Sequence, residues 1–161
     1  MSPERRGRVG RSAGLLLFRR TAGQLEVLLV HPGGPFWARR DDGVWSIPKG
    51  EYPEDEDPLS AARREFAEEL GSPAPDGETI DLGEIRQKAG KVVRAWAIAG
   101  DLDAAKITSN TFTTEWPPRS RRTREFPEVD RAQWFVLEEA RERLNPAQAA
   151  LLDRLSEAVE A

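Results

Sequence analysis

Apolar positions along the chain fall into short runs separated by turn residues. Ala13 to Arg19 and Leu25 to His31 are apolar or alternating and meet at Thr21-Ala22-Gly23, which predicts a first hairpin. Ile80 to Arg86 and Lys91 to Ala99 predict two more strands around the turn Lys88-Ala89-Gly90. Asn110 to Trp116 is strand-like in its Thr, Phe and Trp, and Pro117-Pro118 stops it. Arg119, Arg121, Arg122 and Arg124 then fall in a loop, before a strand expected around Ala132 to Val136. Leu137 to Leu144 reads as a short helix, and Asn145-Pro146 caps a last one whose Leu151, Leu152, Leu155 and Val159 form a single apolar stripe. Paired strands with two substantial helices indicate an α/β fold with a mixed sheet between helices.

The period changes most clearly after Asp57. Asp57 can cap free amides, Pro58 suits the first helical position, and Gly71 can adopt the left-handed conformation that ends a helix. At about 100° per residue, Leu59, Ala62, Phe66 and Leu70 share one stripe, while Glu65, Glu68 and Glu69 gather on the adjoining arc. Such an arc is self-repelling, and carboxylates near a helix C-terminus oppose the macrodipole. Arg64 reaches Glu68 one turn on, but one guanidinium cannot neutralise three acids. A hard divalent cation with oxygen ligands can, so Mg2+ or Mn2+ is the expected cofactor.

Composition narrows the classes. The 161 residues suit a single domain, 12–161, after a short disordered N-terminal segment, 1–11. Twenty-eight acidic against 24 basic residues leave a net charge of −4, so nucleic acid is not expected as a partner. With no cysteine and one histidine, thiol chemistry and His-rich zinc sites are excluded. No apolar run approaches membrane-spanning length, and the expectation is a soluble, cytoplasmic protein, monomer or homodimer.

Gly50, Glu56, Arg64, Glu65, Glu68, Glu69 and Gly71 match, position for position, the pattern Gly-x5-Glu-x7-Arg-Glu-U-x-Glu-Glu-x-Gly-U of the Nudix hydrolases, with Phe66 at the first apolar position U. Ser72 departs from the pattern at the final U, a packing position. The resemblance implies an α/β/α sandwich and a metal-dependent hydrolase of phosphoric anhydride bonds. It implies that Glu65, Glu68 and Glu69 coordinate the metal with the main-chain carbonyl of Lys49, that Gly50 lets that backbone approach, and that Arg64 orients the glutamates while Glu56 holds Arg64 or the loop. Glu69 is the first candidate for general base and Glu115, outside the motif, the second.

The lead Pro48-Lys49-Gly50 resembles the branch that includes diadenosine polyphosphate and diphosphoinositol hydrolases. A dinucleoside polyphosphate such as diadenosine tetraphosphate is therefore the expected substrate. Oxidised nucleoside triphosphates, nucleotide sugars, ADP-ribose and diphosphoinositol polyphosphates are alternatives, and a non-catalytic nucleotide sensor is the alternative of another class. Lys49, Lys91 and Arg86, together with the loop arginines Arg119, Arg121, Arg122 and Arg124, are candidate phosphate contacts, with His31 a minor one. Trp37, Trp116 and Phe126 are candidates for stacking on a base.

Overall fold

Strand β1 (Arg11–Thr21) organises the fold because its side chains are buried on both faces. Ala13, Leu15 and Leu17 pack into one apolar cluster and Leu16 into another, the pattern of a central strand covered on each side. A computed structural model describes residues 10–160. The segment expected to be disordered, 1–11, lies outside the described residues through residue 9, and Arg11 already pairs with Val92.

Around β1 stand β2 (Gln24–Pro32), β3 (Lys49–Glu51), β4 (Thr79–Arg86), β5 (Val92–Ala99) and β8 (Val129–Val136), in the order β4-β5-β1-β2-β8 with β3 also on β1. The β1–β5 pair is parallel and the others antiparallel, so the sheet is mixed as expected. Helix α1 (Pro58–Leu70) covers one face with Ala62, Phe66 and Leu70. Helix α3 (Ala149–Glu160) covers the other with Leu151, Leu152 and Leu155, and α2 (Leu137–Arg143) leads from β8 toward it. The result is the α/β/α sandwich. No helix among the described residues is long and apolar enough to cross a membrane.

Two elements differ from expectation. Residues 49–51 form β3 against the start of β1, a strand too short to leave a periodic signal. The arginine loop is also shorter than expected: Thr123–Pro127 is strand β7, paired antiparallel with β6 (Thr111–Glu115) in a separate hairpin. Arg124 therefore sits in a strand. Lys91 precedes β5 instead of opening it.

Candidate active site

The acidic helix is built as its sequence dictates. Asp57 accepts the Ser60 amide at 3.0 Å, Pro58 occupies the first turn, and Gly71 closes the helix at φ 78°. Arg64 is the hub of the polar face. Its Nε and Nη2 donate to the two oxygens of Glu56, both at 2.8 Å, while Nη1 donates to Glu65 at 2.7 Å and Glu68 at 3.0 Å. This paired fork holds Glu56 below the usual carboxylate range and the guanidinium above its own. Arg64 thus contacts Glu56, Glu65 and Glu68 directly.

Glu65 lies against Gly50, and a β-carbon at that glycine would fall 2.0 Å from Glu65 Oε1. Only glycine lets the β3 backbone and this carboxylate come so close. Glu69 turns the other way and accepts the Lys49 main-chain N–H. Burial, then the charge of Glu65, pushes Glu69 up to about 8, while burial pulls the Lys49 ammonium down. Glu65 is also raised, by burial before all else.

A fourth acid escaped sequence reasoning. Glu128, between β7 and β8, lines a cavity of 160 Å³ with Lys49, Glu69, Pro32 and Ser46. Its carboxyl is pushed up, first by lost hydration and then by Glu68. Backbone ties explain how it arrives: Asn110 N–H donates to the Glu68 carbonyl, and Glu128 N–H donates to the Asn110 carbonyl. Nothing near Glu128 in the sequence signals this; only the pairing of β6 with β7 brings it back to α1.

Among the described residues no group of three His, Cys, Asp or Glu is arranged to hold an ion as it stands. The reason is visible: Arg64 draws Glu65 and Glu68 toward itself, and Glu69 faces Lys49. The donor chemistry nevertheless fits a hard cation. Glu65, Glu69 and Glu128 are all raised, first by burial and then by the charges of neighbouring glutamates, so a cation among them would relieve part of that cost.

Trp37 lines an adjoining cavity of 270 Å³ with Lys49, Gln87, Asn145 and Gln148, so one wall is aromatic and the rest offers amides. Lys91 lies near enough to depress Lys49 through its charge. Arg86 is exposed at the end of β4, and among the described residues no hydrogen bond or ion pair ties it to the carboxylates. His31 is corrected from phosphate contact to buried pin: fully enclosed, its ring spans Asp130 at 2.8 Å and the Arg40 carbonyl at 2.6 Å. Glu115 is occupied too, accepting the amides of Arg119 and Arg121 at 3.1 and 2.9 Å, which fixes the hairpin tip. Trp116 meets Phe36 edge to face at 5.7 Å, and Phe126 packs on Phe112 at 6.1 Å.

The sandwich sets a glutamate-rich helix against a glycine strand, with Lys49 and Trp37 beside it. A model of the NUDIX domain matches residues 8–155, and the chain belongs to the Nudix family. Among solved structures it is similar to a C. elegans Ap4A hydrolase binary complex, at 22% identity and TM-score 0.65, covering 92% of this chain and 98% of that one. It is also similar to the NUDIX domain of Shewanella oneidensis NrtR complexed with ADP ribose, at 20% identity and TM-score 0.64, covering 92% and 87%. A third is RenU, a Nudix hydrolase from M. smegmatis, at 25% identity and TM-score 0.54, covering 92% and 84%. No curated protein matches.

Proposed function

We propose that the protein is a magnesium-dependent pyrophosphohydrolase whose preferred substrate is a dinucleoside polyphosphate such as diadenosine tetraphosphate. The observation that carries this reading is the set of acids Glu65, Glu68, Glu69 and Glu128 around Gly50 and Lys49, with Arg64 gripping two of them. Glu65, Glu68 and Glu69, with the Lys49 carbonyl, would hold Mg2+ or Mn2+, and Glu128 stands ready to join them. When bound, the cation supplies charge neutralisation on the non-bridging phosphate oxygens.

Glu69 is the general base in this reading. In this role it takes a proton from the attacking water, whose oxygen bonds to phosphorus as the bridging oxygen departs with the phosphorus–oxygen electron pair. Lys49 faces the phosphates, and Trp37 offers a stacking face for one base. The aromatic side chain of Trp37 beside Lys49 supports a nucleoside polyphosphate over an inositol derivative, a choice to which the Pro48-Lys49-Gly50 lead, shared by both branches, adds nothing. The test is a chromatographic screen for nucleotide products over dinucleoside polyphosphates, nucleoside triphosphates, nucleotide sugars and ADP-ribose with magnesium, repeated on Glu68→Gln and Glu69→Gln. Turnover led by diadenosine tetraphosphate, lost in both variants, is expected.

A nucleotide sensor without turnover is the second reading. What favours it is the way Arg64 and Lys49 engage the glutamates that a cation would need. Tight nucleotide binding with no turnover, insensitive to both substitutions, would select it.

A further inference from the structure

One face of the β6–β7 hairpin combines aromatic and basic side chains. Alternation places Phe112, Thr114 and Trp116 on the same side of β6 and its extension, across from Phe126, Arg124 and Arg122 on the paired strand. The first three are half-buried while Thr111, Thr113 and Glu115 are exposed, so this side is the one turned toward the protein. Loop 33–40 lies over it: Gly33 N–H donates to the Glu128 carbonyl, a β-carbon at Gly34 would meet Phe112 Cζ at 2.9 Å, and Phe36 meets Trp116.

The hairpin therefore ends at Glu128, which borders Glu69 across a shared cavity, and runs outward from there by roughly 16 Å over five strand residues. Along it the charge reverses. Arg64, Arg94 and Arg143 are each spoken for by carboxylates. Among the described residues the guanidinium groups of Arg122 and Arg124 have no carboxylate partner; Arg124 rests only over Phe126, at 5.7 Å. Planar forks free of internal partners, beside the Phe36–Trp116 pair, suit an anion that ends in a ring.

The geometry points to a second station for the substrate: Arg122, Arg124, Trp116 and Phe36 receive the distal phosphates and second base of a dinucleoside polyphosphate whose scissile bond lies at the acids. Phe36 and Trp37, adjacent in sequence, serve opposite ends of one ligand, Trp37 beside Lys49 and Phe36 on the hairpin. This assignment rests on the hydrolase reading above and adds to it the source of length selectivity.

The experiment compares kcat/KM for diadenosine tetraphosphate and ADP-ribose, with magnesium, in wild type and the double variant Arg122→Gln, Arg124→Gln, thermal melting confirming that both are folded. The double variant is expected to lose about tenfold on diadenosine tetraphosphate, mostly in KM, and at most about twofold on ADP-ribose, with the difference shrinking at high salt. A second variant, Arg119→Gln with Arg121→Gln, changes the tip and leaves the face intact. It is expected to keep the wild-type ratio. Equal losses on both substrates, no loss, or a matching loss from the tip pair would overturn the station while leaving the hydrolase reading intact. Wild type that cleaves no phosphoric anhydride would overturn both.

Discussion

The acidic face of α1 and the basic face of the β6–β7 hairpin solve opposite problems with opposite means. On α1 the acids are half-buried and already engaged, Glu65 and Glu68 by Arg64 and Glu69 by the Lys49 backbone, so each has a partner that an incoming cation must replace or share. On the hairpin the arginines are exposed and free of carboxylates, so they keep their reach. The two meet at Glu128, which ends the hairpin and borders the acids. Chemistry at a phosphorus atom demands fixed donors, whereas accommodating the remainder of a variable anion does not. A rigid centre with a compliant margin follows from which charges were given internal partners.

The strongest way to break this comparison is to remove the base. Glu69→Gln is expected to lower kcat by ~10² to 10⁴-fold with little change in KM, as read by steady-state formation of nucleotide products. Next, Arg64→Ala leaves Glu56, Glu65 and Glu68 without their common partner. Activity should fall about 10- to 100-fold and the magnesium concentration for half-maximal rate should rise, the signature of lost positioning. If Arg64→Ala were as active as wild type, the acids would not need to be held.

Gly50→Ala tests the close approach. The added methyl cannot share space with Glu65, so thermal melting should show destabilisation on the order of 1–3 kcal/mol, with weakened activation by magnesium. The smallest effect is in pH. Glu69 is raised from its usual 4.5 to about 8 in the folded, metal-free chain, so the folded state holds a proton that the unfolded state releases earlier. The stability this contributes is fully present below about 4.5 and is lost as pH rises through about 8. Melting temperatures in chelator should therefore fall across that window in wild type and fall less in Glu69→Gln. Parallel curves for the two would remove Glu69 from the account.

The α1 site was legible because every constraint on it is local. Caps, apolar stripe and acidic arc all lie within Asp57 to Gly71, and the preceding Gly50 and Glu56 are close enough in sequence to keep fixed spacing with it. The sheet was legible for the same reason. Leu15 to Leu17 on β1 and Val27 to Leu29 on β2 are continuous apolar runs, and all six residues are fully buried. What stayed hidden depends on contacts between distant segments. Glu128 reads as one more surface acid until Asn110 bridges it to α1. His31 reads as a strand-end polar residue until Asp130 and Arg40 enclose it. Glu115 shows no sign in sequence that the tip amides will claim it.

The central claim is that the glutamates of α1 form a cation-dependent hydrolytic centre, and manganese titration followed by electron paramagnetic resonance addresses it directly. Wild type should take up Mn2+ saturably, with affinity increasing as pH rises toward 8 and Glu69 gives up its proton, and Glu65→Gln and Glu69→Gln should each weaken uptake at least about tenfold. Uptake of equal affinity in wild type and both variants, at every pH, would contradict it.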